Sequence, residues 1–314
     1  MTIESSKISG GSSISGPFIA SSSCQKRSLA ESLARNLCAW NRASSPPETS
    51  TAPKTIAIVC VSDTHDTKPT LPDGDILLHA GDLSQYGLHD EIQAQLDWLN
   101  EQPHKHKIVI AGNHDLILDQ SFVGDHPDRD LDRPGKSRND LQWGDVKYLL
   151  NNCAELDCGS RTLKVYGSPL TPRCGNFAFQ HDPSDDVWAA TVPEDADILL
   201  THGPPALHLD QEKGCPHLLR ELWRVQPKLM VFGHIHDGRG EELMAFGASR
   251  TCYEKIALGV WPWVNFFKLI LIISWQAMHR SSRISPQRST HLVNAAVVAG
   301  RGNCETREPI VIHI

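Results

Sequence analysis

Five short clusters carry the side chains able to do chemistry in this chain of 314 residues: Asp63-Thr64-His65, Gly81-Asp82, Gly112-Asn113-His114-Asp115, Thr201-His202-Gly203 and Gly233-His234-Ile235-His236. They offer carboxylate oxygen, amide oxygen and imidazole nitrogen, and no thiolate. That mixture suits a pair of hard-to-borderline divalent cations, which activate water. Asp63 and His65 stand two apart, as do His234 and His236. Alternate residues at a strand end share a side, so Asp63 and His65 can reach one ion. Asp82 has two oxygens and can bridge two ions, and Asn113 offers a neutral carbonyl to the second. His202 and His234 add nitrogens there, and His236 returns to the first. Such ions lie about 3.5–4 Å apart in two-metal sites. His114 adjoins a ligand and is placed to protonate a leaving oxygen. Asp115 is placed to accept a hydrogen bond from its ring.

These clusters need a scaffold that brings them together, and the pattern around them supplies one. Each follows a short apolar run: 56–61, 75–80, 107–111, 197–200 and 228–232. Continuous apolar runs of this length read as strands buried on both faces. In α/β sheets, loops at the carboxyl ends of strands converge on a common edge. Helices are expected over 90–101, near 141–151 and over 216–224 as crossovers. Residues 122–139, rich in Asp, Arg and Pro, read as a surface loop. The runs 292–298 and 310–314 read as closing strands of a second sheet. His79, before Gly81-Asp82, is expected to be structural, and His104 and His106 to be solvated.

Composition narrows the class. Apolar content of 40% and charged content of 21% are those of an ordinary globular protein. The net charge of -7 argues against a nucleic-acid binder, which carries a basic face. Nine cysteines, an odd number without a C-x-x-C pair, fit free thiols and a cytoplasmic location better than a disulfide framework. Composition sets no oligomeric state. Residues 1–53 are Ser-rich and read as a disordered leader. A short amphipathic helix over 28–40 and a mitochondrial presequence are the alternatives. The stretch 241–290 reads as an insertion containing WPWVNFFKLILIISW at 261–275. That tract is short for a membrane span, which needs about 20 residues. Contact with a membrane surface through 256–278 is favoured, followed by burial, then a span.

The ordered set Asp-x-His, Gly-Asp, Gly-Asn-His-Asp, His and Gly-His-x-His resembles the calcineurin-like metallophosphoesterase superfamily. The segments KIVIAGNHD (107–115), VYGSP (165–169), LTHGPP (200–205) and PKLMVFGHIH (227–236) are similar to its metallophosphoesterase-domain-containing branch, as are 293–296 and 309–314. The resemblance implies a four-layer α/β/β/α sandwich of two mixed sheets, split here into 54–240 and 291–314. It implies Asp63, His65 and His236 on one metal, Asn113, His202 and His234 on the other, and Asp82 bridging. His114 would be the catalytic acid, with Asp115 beside it. The implied cofactors are two divalent ions from among Mn, Fe, Zn and Ni, with Mn favoured. The implied activity is hydrolysis of a small-molecule phosphodiester, a cyclic nucleotide included. Phosphomonoester or phosphoprotein hydrolysis, a non-enzymatic scaffold and a membrane-attached regulator are the alternatives. Arg173, Asn176 and His208 are candidates for touching substrate.

Overall fold

The computed structural model describes residues 28–42, 55–129, 136–279, 288–300 and 302–314. In chain order its helices are α1 (Leu29–Arg42), α2 (His89–Asn100), α3 (Gln120–Asp125), α4 (Pro216–Val225), α5 (Ala248–Ala257) and α6 (Pro262–Met278). Its strands are β1 (Ala57–Val61), β2 (Ile76–His79), β3 (His106–Val109), β4 (Val146–Tyr148), β5 (Asn152–Asp157), β6 (Thr162–Ser168), β7 (Thr171–Pro172), β8 (Gln180–His181), β9 (Ile198–Thr201), β10 (Leu229–Phe232), β11 (Gly240–Ala245), β12 (Ser289–Asn294), β13 (Val298–Ala299), β14 (Glu305–Thr306) and β15 (Ile310–His313). One sheet runs β15-β1-β2-β3-β4 and the other β11-β12-β10-β9-β6-β5. Strands β1 to β4 are parallel and β15 is antiparallel to β1. In the second sheet β6, β9, β10 and β12 are parallel, with antiparallel β5 and β11 at the edges.

The period of two in the strands sorts side chains between layers. Ile58, Cys60, Leu78 and Ile108 point into the space between the sheets, against Val165, Leu200, Val231 and Val293. Their neighbours Val59, Val61, Leu77 and Val109 point the other way, onto Ile92, Leu96 and Leu99 of α2. On the opposite side Leu199, Met230, Phe232 and Leu292 meet Leu218, Leu219 and Leu222 of α4. The layers are therefore helix, sheet, sheet, helix, as the resemblance implies. Each buried aliphatic side chain contributes about 1.5–3 kcal/mol of transfer free energy. Helix α4 starts with Pro216 in its first turn, where no backbone donor is needed, and stops at Gln226 with φ of 53°.

Several expectations are corrected. Residues 141–151 form no helix. Gly144 turns with φ of 57°, and Val146–Tyr148 pairs in parallel with β3. The two closing strands do not share a sheet: β12 enters the second sheet and β15 the first. The insertion is shorter than 241–290, because Gly240–Ala245 pairs along β12. His104 is buried and its ring faces the Pro72 carbonyl at 3.1 Å, while His106 reaches the Asp157 carbonyl at 2.9 Å.

The expected disordered leader is in part a helix. Ala30 and Ala34 of α1 are buried against Cys252 and Ile256 of α5 and Leu269 and Ile273 of α6. Small residues on one face of α1 let it approach that pair closely, and this contact gives the segment a reason to fold. The rest of the leader, residues 130–135 of the surface loop, and Arg280 and Arg283 lie outside the described residues. The apolar tract is not wholly buried. It forms α6, and no helix among the described residues is long and apolar enough to cross a membrane.

Candidate metal centre

The loops after β1, β2 and β3 of one sheet meet those after β9 and β10 of the other. The backbone there is bent sharply to aim side chains. Asp63, His65, Asp82 and His234 all have positive φ, of 54°, 42°, 52° and 65°. Non-glycine residues adopt that region at a cost of about 1–3 kcal/mol each, and such strain clusters at functional sites. Two glycines make room. A Cβ at Gly112 would lie 2.6 Å from the His202 ring and closer still to Asp82. A Cβ at Gly233 would overlap the Asp63 carboxylate and Ser62.

Three overlapping groups of ligand atoms result: Asp63, His65 and His236; His65, Asp82 and His114; and Asp82, His202 and His234. Within each group the atoms lie within 4.8 Å of one another. Asp63 Oδ1 is 3.2 Å from His236 Nε2, and both its oxygens accept from the backbone N–H of His234 at 3.0 Å. Asp82 Oδ2 stands 3.6 Å from His65 Nε2 and 3.4 Å from His202 Nε2, so one carboxylate faces both groups. Its Oδ1 accepts from His114 N–H at 2.8 Å. Asn113 Oδ1 is 3.0 Å from His202 Nε2. His202 Nδ1 donates to the Ala80 carbonyl at 2.8 Å, which leaves Nε2 facing the site as a ligand atom.

The residues fit a pair of divalent cations. Both ring nitrogens of His65 are buried without a hydrogen-bond partner. Such atoms are costly in a protein interior unless something coordinates them. The electrostatics agree. Burial raises the Asp63 carboxyl, but the hydrogen bond and charge of His236, and the charge of His202, outweigh it and bring the pKa to about 2. Burial lowers His202, yet Asp82 raises it further, to about 9. His234 falls to about 4 through burial and the neighbouring His202. A field that draws protons onto His202 and His236 also draws a dication, which displaces those protons on binding.

Every residue expected to hold metal is in this cluster: Asp63, His65, Asp82, Asn113, His202, His234 and His236. His114 is beside it, its ring 4.8 Å from that of His65. Its orientation differs from the expectation. The ring does not bond to Asp115; Nδ1 donates to the Gln85 carbonyl at 2.8 Å. Asp115 is fully buried and accepts from the backbone of Leu83, Ser84 and Gly112 and from the Ser84 hydroxyl. It ties the loop after β2 to the loop after β3.

Sequence reasoning missed other supports. Asn294 on β12 donates to the carbonyls of Leu209 and Ile235 at 3.1 and 2.9 Å, holding the loop between His234 and His236. A polar residue inside the otherwise apolar run 292–298 was the readable sign. His79 is structural, as expected: it accepts from Gly81 N–H and sits 3.0 Å from the Thr64 hydroxyl, tying the first two loops together. Phe177 lies with its ring 4.8 Å from that of His114. Arg173 and Asn176 are exposed on the same segment. His208 is buried between Glu242 and Glu254, at 3.0 and 3.3 Å, and is no substrate contact.

Residues 56–238 match the calcineurin-like phosphoesterase family. The chain belongs to that family. Metallophosphoesterase domain-containing protein 1 of Homo sapiens is 41% identical over 208 residues, covering 61% of this chain and 63% of that protein. The UPF0046 protein K07C11.7 of Caenorhabditis elegans is 34% identical over 195 residues, 59% of this chain and 65% of that protein. A protein of Emericella nidulans named probable rhamnogalacturonate lyase C is 41% identical over 292 residues, which is 92% of this chain and 27% of that protein. The chain thus spans about a quarter of the Emericella relative and under two thirds of the other two. The solved structure of TT1561 of Thermus thermophilus aligns with a TM-score of 0.40 at 13% identity, covering 61% of this chain and 85% of that one. Membership of the calcineurin-like phosphoesterases implies divalent metal ions, and the clusters of His and Asp described above are suited to hold them.

Proposed function

We propose that this calcineurin-like phosphoesterase hydrolyses a small phosphodiester, cyclic nucleotides included, at a two-metal centre in which Mn is favoured. The observation that carries the reading is the convergence of seven ligand side chains from five loops on two sheets, with both His65 nitrogens buried and unpartnered. Asp63, His65 and His236 would hold one ion, Asn113, His202 and His234 the other, with Asp82 between them. Bound there, the ions supply an acidified water and neutralise charge on phosphoryl oxygens. Two carboxylates against two dications leave net positive charge, which favours an anionic phosphoester. No ligand is missing, which speaks against a scaffold that has lost its chemistry. The lyase activity named for the Emericella protein is not assigned to this chain.

The protein's own proton donor is His114. With Nδ1 committed to the Gln85 carbonyl, Nε2 is the atom that exchanges a proton. The leaving group of a diester departs as an alkoxide and needs that proton. Diester hydrolysis leads because the resemblance to the metallophosphoesterase-domain branch implies it.

The test is turnover of bis-p-nitrophenyl phosphate against p-nitrophenyl phosphate with Mn added. Faster diester turnover is expected, and preference for the monoester would reverse the reading. In His114→Ala, kcat on a diester with an alkoxide leaving group, such as a cyclic nucleotide, should fall by about 10²–10⁴-fold, while turnover of the bis-p-nitrophenyl ester, whose leaving group departs unprotonated, falls far less.

A further inference from the structure

Helix α6 is arranged inside out for a helix in water. Its polar Asn265 is buried and donates to the Val260 carbonyl at 2.7 Å, while Leu269 and Ile273 pack on α1 and α5. The apolar residues face solvent: Trp263, Phe267, Ile270, Leu271, Trp275 and Met278 are all exposed, Leu271 to 70% and Met278 to 73%. At about 100° per residue they fall on one outward arc, with Ser274 within it and Lys268 at its border. Trp261, just before the helix, is 74% exposed. A contiguous apolar face of this kind marks a docking surface.

We propose that this face docks on an anionic lipid surface, with α6 lying in the interfacial plane. Charge decides between lipid and protein as occupant. All 37 acidic residues of the chain lie outside 255–304, a stretch that carries six of the 30 basic ones. Lys255, Lys268 and Arg288 are exposed, and Arg280 and Arg283 follow the helix in sequence. A segment that carries basic residues and no acidic ones in and beside the apolar helix, on a chain of net charge -7, complements anionic headgroups. A second copy of the chain fits less well, since two-fold pairing would set like charges against each other. Tryptophans near both ends, Trp261 and Trp263 at one and Trp275 at the other, suit the headgroup level. With 17 residues, α6 is about 25 Å long, shorter than the roughly 30 Å hydrocarbon core. Its other face is already packed on protein, so it lies on a bilayer and does not cross it. Lys268 extends along the apolar surface to reach headgroups.

The experiment is flotation of the full chain with vesicles of phosphatidylcholine, alone or with phosphatidylserine added, beside sedimentation without lipid. Binding to the phosphatidylserine vesicles is expected to exceed binding to phosphatidylcholine at least tenfold, and to weaken as salt rises. Phe267→Asp/Leu271→Asp should abolish flotation with Tm unchanged, because both side chains are solvent-exposed. Lys268→Glu should weaken it selectively on the anionic vesicles. The proposal is overturned if the chain fails to float with either vesicle, or if the double variant floats as well as the parent. It is equally overturned if the parent is a dimer that the double variant makes monomeric, which would make the face a self-interface.

Discussion

His65 and Gly112 show how single residues set the centre. His65 has no partner for either ring nitrogen inside the protein, so its position makes sense as a ligand. Gly112 is required because Asp82 and the His202 ring occupy the space where a Cβ would sit. In Gly112→Ala those two ligands are pushed apart. Misplacement of about 1 Å costs roughly 100-fold in rate. Diester turnover is therefore expected to drop by about that factor, with bound metal below that of the parent by elemental analysis. Full metal content and full turnover in this variant would contradict the geometry described. Asp115 illustrates a residue whose type suggested one role and whose contacts give another. A carboxylate next to a catalytic histidine looks like its partner, but this one is used up by three backbone N–H groups and a hydroxyl.

Among elements, β12 and the β11–α5 segment connect the centre to the rest of the fold. Asn294→Ala removes two donors from the carbonyls of Leu209 and Ile235, and leaving buried groups unpaired costs about 1–3 kcal/mol. Supporting residues of this kind change metal affinity by about 10–100-fold. Metal titration of Asn294→Ala is expected to show weaker binding in that range with the fold retained by circular dichroism. The second link is His208, clamped by Glu242 of β11 and Glu254 of α5. Burial lowers its pKa, but the two carboxylates outweigh this and raise it. A raised folded value means that the stabilisation is complete below the unfolded value of about 6.5 and is lost as pH rises through the folded one. Glu242, against burial, is held down to about 2 by His208 and Arg250. Its contribution is present above the unfolded carboxylate range and fades as pH falls toward that value. Urea unfolding across pH should show an alkaline decline in the parent that flattens in His208→Gln. The variant should be less stable by about 3 kcal/mol on the acidic side. An unchanged alkaline limb would remove His208 as its cause.

For the whole molecule, ligands drawn from both sheets make the centre a cross-link between layers. Chelation should lower Tm, and Mn should restore it; at about a thousandfold excess over Kd the ion adds about 4 kcal/mol. A Tm indifferent to chelator and metal would mean that the clusters bind none. The sequence by itself determined the strand-then-cluster repeat and the donor types. A strand buried on both faces must be a continuous apolar run, and the ligands of each loop are neighbours in the chain. The layered α/β/β/α class came from the family resemblance that those clusters carry, not from the runs and their crossovers. Only the tertiary structure decided the rest. Residues 141–151 look helical in isolation and become β4 because β3 offers an open edge. Leu29–Arg42 orders because α5 and α6 lie against it. An apolar tract reads the same buried or exposed, so the outward arc of α6 was settled by which stripe its neighbours covered. The partner of Asp115, the clamp on His208 and the hold of Asn294 join segments 31 to 85 residues apart, and no local spacing encodes a contact that chain folding alone creates.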